Sequence, residues 1–301
     1  MEPRNSLHYL LRGEPLLNFK VVKFITENIK AEFPNAQIKI VTNGTILNSD
    51  IMEFIKQHNV TIMISLDGPK RIHDRLRRFR DGRGSYDVII RNISKLQKEK
   101  IPFEIATTLT SVCPYLSEIY QHLKQLQPTL IDFTPVEDRS NSPLIVRMTD
   151  DVIDDWAKTE IIAFKTFIAE GHSVTSSILR LFLLLNDNKV SEYECGLGVT
   201  KFAVACNGEV YPCIGLLGHK NFYMGSIWEE DFPDNTFFAQ YRRFMKIFNI
   251  NYDKECRTCW RRYLCMRCYA FEIIYGRKKC SVPESYTEKL LQFLAEILLV
   301  E

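Results

Sequence analysis

Nine cysteines offer the most chemistry in this chain of 301 residues, and eight of them lie between Cys195 and Cys280. The odd count argues against a disulfide framework, as does an N-terminus with no apolar signal-peptide core. Metal or iron–sulfur ligation is the better explanation. The tightest group is Cys256-Arg-Thr-Cys259-Trp-Arg-Arg-Tyr-Leu-Cys265-Met-Arg-Cys268. Common four-cysteine zinc sites separate their two CxxC knuckles by about 15–20 residues. Here five residues separate Cys259 from Cys265, few for folding both knuckles around one ion. Thiolates this closely spaced suit a cube of iron and sulfide better than a point. Distant Cys195, Cys213 and Cys280 would complete two cubes. Zinc and buried free thiols are the rival readings, and Cys113, alone in the first half, reads as structural.

A second set of residues sits where strands should end. Gly13-Glu14-Pro15, Thr42-Asn43-Gly44 and Ser65-Leu66-Asp67-Gly68 are three such clusters. Each by itself could be no more than a turn, and Asn43 and Asp67 could simply cap one. Three on one rim of one sheet suggest a site, because chemistry in parallel sheets gathers at the C-terminal strand ends.

The elements that must position these residues are legible as an alternation. Residues 37–42, 60–66, 103–109 and 130–134 read as strands. Between them lie helical patterns: Val22, Ile25 and Ile29 on one face, 49–58 capped by Asn48, 86–98 and 115–126. Strand–helix alternation predicts βα units and a parallel sheet. Residues 149–186 read as helical, with Ile161, Phe164 and Ile168 on one face. From Cys195 the pattern changes. Strand-like 202–205 and 209–211 flank Asn207-Gly208, an Asn-Gly hairpin signal, and a helix with Leu290, Leu294, Ile297 and Leu298 on one stripe closes the chain. The expected fold class is α/β, with a βα domain over 1–190 and a small cysteine-rich domain over 191–301.

Composition narrows the partners. The chain is 46% hydrophobic and 25% charged, as globular domains are, and its net charge is +2. That gives no electrostatic case for nucleic acid or an anionic membrane. No apolar run reaches membrane-span length, and a cytoplasmic location is expected.

These residues carry a resemblance. Cys195-Gly-Leu-Gly…Asn207-Gly208-Glu-Val-Tyr-Pro-Cys213 is similar to the opening of a SPASM domain. Cys256, Cys259, Cys265, Cys268 and Cys280 match its remaining pattern, except that two residues lie between Cys265 and Cys268 where the family has three. The first half resembles radical S-adenosylmethionine (SAM) enzymes. Gly13-Glu14-Pro15 is similar to their GGEP element, with Arg12 in place of the first Gly. Thr42-Asn43-Gly44-Thr45 and Ser65-Leu66-Asp67-Gly68-Pro69…His73-Asp74 look like family signatures. The resemblance covers nearly the whole chain. Its nearest members are maturases that cross-link cysteines of ribosomal peptides into thioethers, the SCIFF-maturase type. Anaerobic sulfatase maturases are similar but usually carry Asp where Ile214 stands. The family's CxxxCxxC loop should precede Gly13 and is not there, so the chain looks like an N-terminally truncated copy: a partial (β/α) radical SAM barrel lacking its first strand and loop.

The resemblance implies a SAM-bound [4Fe–4S] cluster that generates a hydrogen-abstracting radical, acting on a ribosomally made peptide with a leader and drawing electrons from a flavodoxin or ferredoxin. SAM contacts would come from Gly13, Glu14, Thr42, Asn43, Ser65 and Asp67. Up to two auxiliary [4Fe–4S] clusters would be held, one by Cys256, Cys259, Cys265 and Cys280. The other would use Cys195, Cys213 and Cys268, with a fourth position vacant or filled by Cys206. Without the CxxxCxxC loop, the chain alone is expected to be inactive in SAM cleavage. An iron–sulfur peptide-binding module, an inert fragment and a zinc-binding structural protein are the alternatives. The basic run from Arg71 to Arg83 meets either solvent or an acidic leader.

Overall fold

A computed structural model describes residues 7–10, 13–136, 142–171, 174–186, 192–193, 195–265, 268–276 and 283–298. The chain forms two compact units, Met1–Arg180 and Leu181–Glu301. The division falls ten residues before the boundary expected at 190.

In the first unit the elements run β1 (Leu7–Leu10), α1 (Phe19–Glu32), β2 (Gln37–Thr42), α2 (Ser49–Gln57), β3 (Thr61–Ser65), α3 (Lys70–Leu76) and α4 (Tyr86–Lys98). They continue with β4 (Phe103–Leu109), α5 (Leu116–Lys124), β5 (Leu130–Pro135), α6 (Asp150–Glu170) and β6 (Val174–Thr175), and α7 (Ser176–Asn186) spans the division between the units. The six strands are parallel and lie in sequence order. Right-handed crossovers between such strands put the connecting helices on one side, which makes a β/α half-barrel. Ile38, Ile40, Ile62, Ile64, Ile105 and Ile131 point to the covered face and are completely buried. The alternate residues are more polar. Lys39 on β2 pairs with Glu104 on β4 at 2.6 Å, and Tyr9 lays its ring 5.8 Å from the Lys39 ammonium.

Local signals explain the element ends. Asn48 caps α2, its Oδ1 accepting from Ile51 N–H at 2.9 Å, which stabilises by about 1 kcal/mol. The stretch read as one helical region is broken at Gly171, whose φ of +77 closes α6, and β6 intervenes. Ile168 shares the expected face with Phe164 but is 60% exposed, because α6 buries Ile153, Trp156, Ala157 and Ala163 instead. Strands β1 and β6 had no clear sequence signal; they are only four and two residues long.

In the second unit β7 (Ala203–Val204) and β8 (Val210–Tyr211) form the Asn-Gly hairpin. Helices α8 (Asn235–Ile247), α9 (Tyr269–Tyr275) and α10 (Glu284–Leu298) follow. Its core joins Leu197, Val210, Leu216, Met224, Phe244, Phe248, Tyr269 and Ala270. Leu290 and Leu294 of α10 are fully buried, as their stripe implies. Among the described residues no helix is long and apolar enough to cross a membrane.

Candidate functional site

At the C-terminal rim of the sheet, Glu14 ties the segment after β1 to the end of β2. Its Oε1 accepts from Thr42 Oγ1 at 2.7 Å and Leu16 N–H at 3.1 Å, and its Oε2 accepts from Asn43 N–H at 2.7 Å. Thr42 Oγ1 in turn accepts from Gly44 N–H at 3.1 Å. Asn43 Oδ1 accepts from the Thr45 amide and hydroxyl at 2.9 and 2.6 Å. Gly44 has φ +72, and a Cβ there would lie 2.7 Å from Ile64, so the turn needs glycine. Gly13 has φ +62 with open space where a Cβ would stand, so its backbone is accessible to a ligand. Arg12 lies outside the described residues. The structure thus brings Gly13, Glu14, Thr42 and Asn43 together. Ser65 ends β3, half-buried, on the same rim.

Asp67 belongs to a different bonded set. It is 2% exposed. Its Oδ2 accepts from Arg77 Nε at 2.5 Å, and its Oδ1 accepts from Arg77 Nη2 at 3.1 Å and Thr108 N–H at 3.0 Å. Its own N–H donates to His73 Nδ1 at 3.2 Å, and His73 Nε2 lies 2.9 Å from Ser85 Oγ. Asp74 accepts from Tyr86 N–H at 3.0 Å, at the start of α4. A Cβ on Gly84 would fall 1.9 Å from the Asp74 carboxyl carbon, so glycine there makes room for that cap. Burial, foremost, lowers the His73 pKa; Asp67 opposes that and Arg77 adds to it. Sequence reasoning singled out His73-Asp74 but gave no role to Arg77, Gly84 or Ser85. Gly84-Ser85 directly before a helical pattern was the available signal.

The cysteines are gathered by backbone contacts. Gly198 N–H donates to Pro212 C=O at 3.1 Å, drawing the turn after Cys195 to the residue before Cys213. A Cβ on Gly198, at φ +66, would sit 3.0 Å from Pro212 and 3.1 Å from Phe244. Gly215 lies against Ala270 of α9 and near Cys213 Sγ, and Cys268 is the residue that caps α9. Cys213 and Cys268 pack against the same core. Burial pushes the Cys213 thiol up to about 11, with Cys195 and Cys268 adding, while the Gly215 and Leu216 amides favour its thiolate. Cys213 and Cys268 therefore share one core, and the turn after exposed Cys195 is bonded to the residue before Cys213.

Cys256 opens a 3-10 turn over Cys256–Thr258, and its N–H donates to Asp253 Oδ1 at 3.0 Å. Cys259 N–H donates to Cys256 C=O at 3.1 Å, and buried Cys265 donates its amide to Arg261 C=O at 2.9 Å. Cys280 lies outside the described residues. Cys206 occupies the tight turn of the hairpin, where Gly208 N–H donates to Ala205 C=O at 2.9 Å. That is the far end of β8 from Cys213, about 3.3 Å further per intervening residue. Cys206 is thus not placed to fill a position beside Cys213. Cys113 is buried, as a structural thiol should be.

Among the described residues no three His, Cys, Asp or Glu side chains converge tightly enough to hold a single metal ion. Cys213 and Cys268 share one core, and the Gly215 and Leu216 amides bond Cys213.

Comparison with known proteins agrees with both halves. Residues 6–123 match the radical SAM superfamily, and residues 195–260 match SPASM, an iron–sulfur cluster-binding domain. A cysteine-type anaerobic sulfatase-maturating enzyme of Clostridium novyi (strain NT) is 28% identical over 81% of this chain; the chain spans 64% of that relative's length. A radical SAM cyclopropyl synthase, TigE, of Paramaledivibacter caminithermalis is 32% identical over 29% of this chain and 18% of its own. The fold is that of native anSMEcpe with bound AdoMet, with a TM-score of 0.76 at 18% identity over 99% of this chain and 84% of that one. The thioether maturases expected as nearest kin are not among these names, and sulfatase-maturating enzymes are, despite Ile214. The chain thus pairs a match to the radical SAM superfamily with a match to the SPASM iron–sulfur cluster-binding domain.

Proposed function

We propose that the chain is the SAM-binding rim and auxiliary-cluster part of a peptide maturase. The observation that carries this is a radical SAM match over 6–123 followed by a SPASM match over 195–260, in which Cys213 and Cys268 pack against one core. Cys195, Cys213 and Cys268 would hold one auxiliary [4Fe–4S] cluster, and Cys256, Cys259, Cys265 and Cys280 the other. Such clusters, when bound, accept or pass single electrons. Gly13, Glu14, Thr42, Asn43 and Ser65 would hold SAM at the rim. Glu14 positions that site, fixing Thr42 and Asn43, while Asp67 shapes its neighbour through Arg77. Peptide substrates are supported by the relatives' names and by the similar structure of anSMEcpe with AdoMet and the Kp18Cys peptide, at a TM-score of 0.74 and 19% identity.

Two outcomes for a cysteine-containing peptide follow from the kin. Ile214 after Cys213 favours thioether formation, in which the peptide loses two hydrogens and keeps its sulfur. The sulfatase-maturating relatives favour a sulfatase peptide as the substrate, and mass spectrometry of each peptide after reaction distinguishes the two.

Residues 1–301 contain no CxxxCxxC. A polypeptide of these residues alone is therefore not expected to cleave SAM. Anaerobic incubation with SAM and dithionite, followed by chromatography for 5′-deoxyadenosine, checks this. Turnover above a no-protein control, abolished by Glu14→Ala, would contradict it.

A further inference from the structure

Seven cations lie between Lys70 and Arg83, on α3 and the tight hairpin that follows it. In that hairpin Arg78 and Gly84 bridge antiparallel, and Phe79 N–H donates to Arg83 C=O at 2.8 Å. Four of the cations are matched: Lys70 with Asp87, Arg71 with Glu118, Arg77 with Asp67 and Arg83 with Asp81. Arg75, Arg78 and Arg80 are exposed. Among the described residues no carboxylate pairs with these three. Arg78 Nε donates to Asp74 C=O at 2.7 Å, which steadies the side chain and leaves its terminal nitrogens to other acceptors.

The arm that carries them is anchored. Asp67 clamps Arg77 from within, His73 meets Ser85 at 2.9 Å, and Asp74 caps α4 beneath Gly84. It leaves the sheet at the C-terminal end of β3, the same end that carries Glu14, Thr42 and Asn43. We infer that Arg75, Arg78 and Arg80 form a dock for an acidic stretch of peptide, an inference that rests on the peptide-substrate reading above. Guanidinium groups on a fixed arm match carboxylates bidentately at less entropic cost than free ones. Nucleic acid suits the arm less well. Asp74 and Asp81 interrupt the cations, and the net charge of +2 supplies no wider positive field.

The test is fluorescence anisotropy of a short fluorescein-labelled peptide of alternating Glu and Gly, titrated with the chain at about 0.15 M salt, where the screening length is about 8 Å. Arg75→Gln/Arg78→Gln/Arg80→Gln should weaken binding at least about tenfold. Lys20→Gln/Arg91→Gln/Lys98→Gln removes the same charge from exposed positions elsewhere on the first unit and should weaken it less than about twofold, as diffuse charge is screened. Equal losses in the two variants, or no binding by the unmodified chain, would overturn the dock. So would an oligothymidylate that binds more tightly than the peptide through the same three arginines. The readout needs neither iron nor SAM. A chain that assembles its clusters but ignores the peptide loses the dock alone, and one that binds the peptide but takes up no iron loses the maturase reading alone.

Discussion

Asp67 and His73 show how buried polar residues fix a loop at the rim. Asp67→Ala leaves Arg77 and the Thr108 amide without their acceptor. It should cost about 1.5–3 kcal/mol, the range for hydrogen bonds to charged groups, read as a lower urea midpoint with an unchanged slope. Asp67→Asn keeps an acceptor for one donor and should fall between. The ring of His73 is neutral here, since Nδ1 accepts from Asp67 N–H and Nε2–H can then donate to Ser85. Its pKa is lowered by burial, so the unfolded chain binds the proton first. Stability from this group is therefore full above the unfolded value of about 6.5 and declines as pH falls from there towards the lower folded value. His73→Asn retains an acceptor for Asp67 N–H. It should lower stability at neutral pH yet flatten the decline below about pH 6.5, measured as denaturation midpoint against pH.

The hairpin and the turns around it act as a frame for thiols. Gly198→Ala places a Cβ at φ +66 and 3.0 Å from Pro212. The backbone strain alone costs about 1–3 kcal/mol, and relief would separate Cys195 from Cys213. Gly218→Ala, at φ +81 with nothing within 4 Å, carries the strain without the clash. Gly198→Ala should therefore lower both the thermal midpoint and the iron retained after reconstitution, and Gly218→Ala only the midpoint. Elements such as β2, β4, α2, α4 and the hairpin were legible because period, caps and the Asn-Gly turn agreed. β1 was not, since Leu-His-Tyr-Leu is too short to show a period. The 49% exposure of Trp260 was not legible either, because nothing in its local sequence says which side of the cysteine loop faces inward. The cysteine spacing pointed to clusters, but which thiols meet depended on Gly198 reaching Pro212 and Gly215 reaching Ala270, contacts between segments far apart in sequence.

At the scale of the whole molecule, one half offers a rim of backbone and carboxylate at the strand ends and the other a set of thiols, and each unit has its own core. The radical SAM and SPASM matches fall one on each unit. The division into two ligand sets within the second unit is the central claim. It is tested most directly by iron content and visible absorbance after anaerobic reconstitution of the chain, Cys213→Ala and Cys259→Ala. The unmodified chain should be brown and hold iron for two [4Fe–4S] clusters, and each substitution should lose about half if, as proposed, the two thiols serve different clusters. A colourless chain that binds stoichiometric zinc and no iron would contradict it, as would either substitution leaving the iron content unchanged.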